Sequence, residues 1–165
     1  MAPANLQDPP TQRQAWIEYI TRIPTIIGRP YEYVGHFTYK DHAEIPRHHQ
    51  ADITARRWRY FSGEINKRLY GKRWIRNGQG IFGAIATEKI PDYPHHHVIF
   101  GGDGLRAGLR RLDIMDMWEE AYGGWVRITD YKGAAAAIYL TKYVTKGGLV
   151  DVFASPRDRD RIKPN

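Results

Sequence analysis

Two short runs in this sequence concentrate side chains that can bind a metal or attack a phosphate. His95 and His97 flank His96 in Pro94-His95-His96-His97-Val98, and a second run reads Tyr139-Leu140-Thr141-Lys142-Tyr143-Val144-Thr145-Lys146. In an extended strand side chains alternate faces, so His95 and His97 point one way and His96 the other. Two imidazoles one strand-step apart can hold a divalent cation rigidly. Glu88, ending the preceding apolar run, is the first choice for a third ligand, with Asp92 and His36 as weaker ones. Two histidines and a carboxylate leave coordination positions open and suit one Mn²⁺ or Mg²⁺ ion as Lewis acid, although Zn²⁺ would also bind. An isolated H-x-H is equally compatible with a histidine-rich turn on a solvated strand edge.

In a helix, positions 139, 142, 143 and 146 share one stripe, so two phenols and two ammonium groups line up while Ala137, Leu140 and Val144 form a core face. A phenol with a reference pKa near 10 attacks at neutral pH only if a cation or metal stabilises its phenolate. Lys142 follows Tyr139 by one turn, and Lys146 stands in the same relation to Tyr143. The same pattern also describes an ordinary amphipathic surface helix. What singles it out is conjunction with the histidines, since one metal and one phenol can share a phosphate between them.

The elements that must position these groups are legible from periodicity. The sequence predicts helices over 12–23, 51–70, 105–122 and 133–146, with strands over 31–39, 81–88, 95–100 and 125–129. After the leading helix the order is β-α-β-β-α-β-α. This is an α+β chain of the ferredoxin-like, RRM-like class, an antiparallel sheet with helices on one face and the active site on the other. His96 would then point to the covered face, where it needs an edge position or a buried hydrogen bond.

A chain of 165 residues with 42% hydrophobic content suffices for a single domain across 1–165, with an ordered core over about 12–150 and mobile ends. A net charge of +7 favours a polyanionic partner. Arg56, Arg57, Arg59, Lys67, Arg68, Lys72, Arg73 and Arg76, interleaved with Trp58, Tyr60, Tyr70 and Trp74, form a patch suited to phosphate neutralisation and base stacking. Arg106, Arg110 and Arg111 form a second cluster. The absence of cysteine excludes disulfides, thiolate zinc sites and a cysteine nucleophile. No apolar run is long enough for a membrane span, so a soluble, cytoplasmic protein is expected.

The histidine motif with Glu88 upstream, the Tyr139 to Lys146 motif, and the less specific Phe37-Thr38-Tyr39-Lys40 and 58–66 segments together resemble the HUH replication-initiator (Rep) superfamily. The paired Y-x-x-K form is most similar to the gene A type initiators of small single-stranded DNA phages and related plasmid and transposon proteins. The resemblance implies metal-dependent nicking and rejoining of single-stranded DNA through a 5′-phosphotyrosine, initiating rolling-circle replication. Tyr139 and Tyr143 would be the nucleophiles, Lys142 and Lys146 their cationic partners, and His95, His97 and Glu88 the metal ligands. His96 departs from the family's bulky apolar residue between the histidines. No G-x-x-x-x-G-K-[ST] phosphate loop is present, so the chain has no helicase domain and a separate host helicase would unwind the origin. A transposase of the same chemistry and a non-catalytic single-stranded nucleic-acid-binding module remain alternatives.

Overall fold

A computed structural model describes residues 11–88, 92–142 and 146–163. Its strands are β1 (Tyr33–Phe37), β2 (Phe82–Glu88), β3 (His95–Gly101), β4 (Val126–Asp130) and β5 (Leu149–Phe153). The helices are α1 (Gln12–Ile27), α2 (Gln50–Tyr70), α3 (Leu105–Gly108), α4 (Arg111–Tyr122), α5 (Ala135–Thr141) and α6 (Pro156–Arg159). The strands form one antiparallel sheet in the order β4-β1-β3-β2-β5. Its first four strands, with α2 and α4 as crossovers, carry the predicted α+β, ferredoxin-like arrangement, and β5 extends it beside β2.

Strand alternation gives the sheet two different faces. Tyr33, Phe37, Val98, Phe100 and Ile85 face one way and pack with Trp58, Phe61 and Ile65 of α2 and Ile114 and Trp118 of α4. On the other face, Phe82, Ala84, Ala86 and Ile99 pack beneath Ile20, Ile23 and Ile27 of α1 and Ala137 and Leu140 of α5. The second face is therefore half covered, with the histidine end of β1 and β3 left beside α5.

Three departures from the sequence reading lie in the helices. Helix α1 runs to Ile27, past the expected stop at Ile23, with Pro24 inside it. Proline lacks the N–H that would bond to the Ile20 carbonyl, and the Tyr31 hydroxyl donates to that oxygen instead, at 2.8 Å. The predicted 105–122 helix breaks at Leu109, whose backbone is extended. A capping box between Arg110 and Asp113 restarts it as α4. The restart turns Leu112 out to solvent and puts Ile114 in the core. Helix α5 is shorter than the predicted 133–146, with Lys142 as its C-cap.

Residues 149–163 are built into the fold, where the sequence reading expected a mobile end after about 150. In β5, Val150 and Val152 face the α1–α5 core while Phe153 packs against Trp58. Asp158 is buried, accepts a 2.8 Å hydrogen bond from the Ser155 hydroxyl and is ion-paired to Arg29. Ile162 joins the second core. Gly124 is demanded by close approach: a Cβ there would lie 1.8 Å from the Thr38 carbonyl oxygen, between the ends of β1 and β4.

Candidate metal and phosphoryl-transfer site

Sheet register assembles the site. His36 of β1 pairs directly with His97 of β3, and Glu88 of β2 pairs with His95. Directly paired residues project from the same face, so His36, His95, His97 and Glu88 converge on the half-covered face. The His36 and His97 rings stack with centroids 4.5 Å apart, and the His36 and His95 rings lie at 4.9 Å. One ligand nitrogen from each of His36, His95 and His97 falls within 4.8 Å of the others. Donors at about 2.1 Å from a common ion lie within about 4.2 Å of one another, so a small closure of the side chains completes a cage.

Two details indicate that the nitrogens are arranged for a cation. His36 Nε2 is buried with no hydrogen-bond partner among the described residues, which is costly for an imidazole that serves only the core. His95 Nδ1 lies 2.8 Å from the Tyr93 carbonyl oxygen. Because a carbonyl only accepts, Nδ1 must carry the proton, leaving the lone pair on Nε2. That nitrogen touches Glu88 Oε1, which is also 3.0 Å from His97 Nε2. A lone pair and a carboxylate oxygen in contact require a proton or a metal ion between them.

Burial pushes the His36 imidazole down to about 4, helped by the neighbouring His97 and His95, and burial also lowers His97. Both imidazoles are thus neutral at neutral pH, the form that can ligate a cation. The residues present fit one divalent ion: three imidazoles, with the Glu88 carboxylate in contact with two of them. Sequence reasoning ranked His36 below Glu88, whereas in the structure His36 completes the imidazole set. Asp92 is exposed and paired with Arg47, 3.6 Å away.

His96 points into the covered core with zero exposure. The Tyr39 hydroxyl lies 2.5 Å from its Nε2 and the Thr87 hydroxyl 2.8 Å from its Nδ1. The buried hydrogen bond that its position demanded is therefore met twice. Burial, reinforced by His95, lowers its pKa to about 3.

Tyr139, on the last turns of α5, brings its ring to 5.2 Å from the His97 ring. Lys142 sits over the Tyr139 ring, its Nζ 4.3 Å from the centroid. Tyr139 is half exposed because Ala137 and Leu140 carry the buried side of α5. A cleft of about 250 Å³ opens between Tyr139, His36 and His97, with Arg127 of β4 on its rim. Tyr143 lies outside the described residues. Lys146 is exposed and falls beyond the end of α5, so it does not extend that helical stripe.

The predicted basic patch lies elsewhere. Its α2 members are on the helix that covers the opposite face of the sheet from the histidines. Arg56, Arg59, Lys67, Arg68, Lys72, Arg73 and Arg76 are exposed, with Trp74 half-buried. Arg57 is committed to structure: it makes a two-point contact with Asp41 at 2.8 and 2.7 Å and stacks on Tyr39 and Tyr122. In the second cluster Arg106 and Arg111 pair with Asp130, and Arg110 pairs with Asp113.

The sequence reading missed two further groups beside the histidines. Trp125 is 59% exposed, with its ring 5.5 Å from that of His36. Arg127 pairs with His36 across β1 and β4. A signal for Arg127 was available, since Val126 and Ile128 alternate with it and mark its face. No protein-family model matches the chain, and neither a curated protein nor a solved structure matches it. Among the described residues, no helix is long and apolar enough to cross a membrane.

Proposed function

We propose that this chain is a metal-dependent, HUH-type nicking and joining enzyme for single-stranded DNA, with Tyr139 as nucleophile, acting at a rolling-circle origin. The observation that carries the reading is the approach of the Tyr139 ring to His97 of the imidazole triad, 5.2 Å between centroids, across an open cleft. A half-exposed phenol beside a metal-binding cluster is the pairing that phosphotyrosine chemistry requires.

His36, His95 and His97, with Glu88 beside them, would hold the ion. Bound there, it would polarise a phosphate oxygen as a Lewis acid. Three imidazoles favour a transition metal such as Mn²⁺ over Mg²⁺. The Tyr93 carbonyl orients His95, and the strand pairing of His36 with His97 fixes the other two rings. Trp125 offers a base-stacking surface at the mouth of the site, and Arg127 offers a phosphate contact.

The Tyr139 oxygen attacks the phosphorus as its proton leaves to solvent. The new tyrosyl O–P bond replaces the P–O3′ bond, and the departing 3′ oxygen takes a proton to become a 3′-OH. Lys142 supplies positive charge beside the phenol as it ionises. Rejoining is the reverse, with a 3′-OH attacking the phosphotyrosine. Incubation with a pool of single-stranded oligonucleotides in Mn²⁺ should give a slowly migrating protein–DNA band on a denaturing gel, absent in EDTA. Binding of strand and metal without any such band, with the cognate origin present, would favour the non-catalytic binding module.

A further inference from the structure

The groove between α2 and the edge strand β5 opens on the face of the sheet opposite the histidines, reaches round the β5 edge to Tyr19 and Ile162, and has no part in the chemistry above. It encloses about 630 Å³. Ala51, Ala55 and Ser62, spaced along one side of α2, keep its floor low, and Phe153 and Asp151 of β5 form the far wall. Trp74 flanks it, packed over Gly63, where a Cβ would come 4.0 Å from the indole. Trp58 lines the same groove at 3% exposure, and its Nε1 has no hydrogen-bond partner among the described residues. An indole N–H can only donate, so an occupant that satisfies it must bring an acceptor.

Charge narrows the occupant further. Arg59, Arg159 and Lys163 line the groove against one acid, Asp151. Lys163 is paired with Asp160 at 2.5 Å, whereas no ion pair holds Arg59 or Arg159 among the described residues. Arg56, Arg73 and Arg76 stand exposed on the same α2 and 71–80 segments. Cations around a groove lined by the half-buried Trp74 and by the unpartnered N–H of the buried Trp58 suit an anion that also carries flat rings and acceptors, which is a nucleotide base with its phosphates.

We propose that this groove is a second nucleic-acid-binding site, taking a base and its flanking phosphates from a single strand, apart from the Tyr139 site. Trp58 Nε1 donates to a base acceptor or phosphate oxygen, Trp74 stacks, and Arg59 and Arg159 neutralise the backbone. A protein with one such site on each face of its sheet holds two stretches of strand at once. The proposal does not rest on covalent chemistry, because the groove's residues lie outside the histidine site.

The test is fluorescence anisotropy of a labelled oligothymidylate on the full chain in EDTA, across a salt series, followed by photocross-linking with bromouracil-substituted strand and peptide mapping. The variant with Arg59→Ala and Arg159→Ala should bind about tenfold more weakly, and its salt slope should fall by about 0.7 for each phosphate that is no longer neutralised. Cross-links should map to Trp74 and to 149–163 peptides. Trp58→Phe, with its melting temperature checked separately, should weaken binding without changing the salt slope. Unchanged affinity in the double variant, with cross-links confined to β1, β4 and α5, would overturn the proposal. Displacement of the strand by poly-glutamate as readily as by unlabelled DNA would overturn it in favour of an acidic protein partner. Loss of Tyr139-linked adducts alone leaves both groove readouts intact, so the two sites fail separately.

Discussion

Substitution of the buried trio Tyr39, His96 and Thr87 tests how this fold tolerates a polar residue where an apolar one is expected. Neutral imidazole donates from one nitrogen and accepts at the other, and the two hydroxyls, at 2.5 and 2.8 Å, satisfy both. Tyr39→Phe or Thr87→Val should each cost about 1–3 kcal/mol, because each strands one His96 nitrogen at zero exposure. His96→Leu alone should also destabilise, since it leaves two hydroxyls unpaired in the core. Replacing all three by Phe, Val and Leu should be close to neutral at about pH 7, because no polar group remains stranded. The pH dependence separates the variants further. The His96 pKa is held at about 3 when folded and lies near 6.5 when unfolded. Between these values the unfolded chain binds a proton that the folded one does not, so stability falls as pH drops below about 6.5, by about 1.4 kcal/mol per unit. At about pH 5 the triple variant should therefore be more stable than the parent by about 2 kcal/mol. His36 and His97 contribute the same acid sensitivity to both proteins and cancel in the comparison. Urea unfolding followed by far-ultraviolet circular dichroism, in EDTA, reads both quantities. Parallel pH dependences of parent and triple variant, or a Tyr39→Phe cost below about 0.5 kcal/mol, would mean that His96 is not a neutral imidazole held by the two hydroxyls.

Three further outcomes are expected. His36→Ala should weaken Mn²⁺ binding by at least about tenfold by calorimetry, while Asp92→Ala should leave it unchanged. Arg57→Ala should destabilise by about 1 kcal/mol in denaturant melts, because it removes the Asp41 ion pair and the aromatic stacking at a partly exposed position, yet leave oligonucleotide affinity intact. Gly124→Ala should cost at least about 2 kcal/mol in the same melts, because its Cβ would collide with the Thr38 carbonyl.

The sheet was legible because its strands alternate and its long helix α2 keeps a clear apolar stripe ending at Gly71. The histidine pair was legible because a strand's period of two needs no tertiary information. His36 was undervalued for the converse reason: its place beside His97 depends on the β1–β3 register, which spacing along the chain does not encode. The same gap explains the basic patch. Helical periodicity shows that α2 has a cationic side, but only the packing of Trp58 and Phe61 shows which sheet face it covers. Strand β5 escaped notice after Gly147 and Gly148 although Val150 and Val152 alternate with Asp151, and the alternating charges after Pro156 masked the buried anchor Asp158.

In the proposed function Tyr139 forms a covalent bond to DNA under control of the imidazole cluster. The most direct test of that bond is peptide mass mapping of the adduct formed with the cognate single strand in Mn²⁺, for the parent and for Tyr139→Phe. A nucleotide mass is expected on the peptide containing Tyr139, abolished by EDTA, by His97→Ala and by Tyr139→Phe, with strand binding retained in the last. Cleavage that persists undiminished in Tyr139→Phe, or an adduct mapped away from α5, would contradict the proposed function.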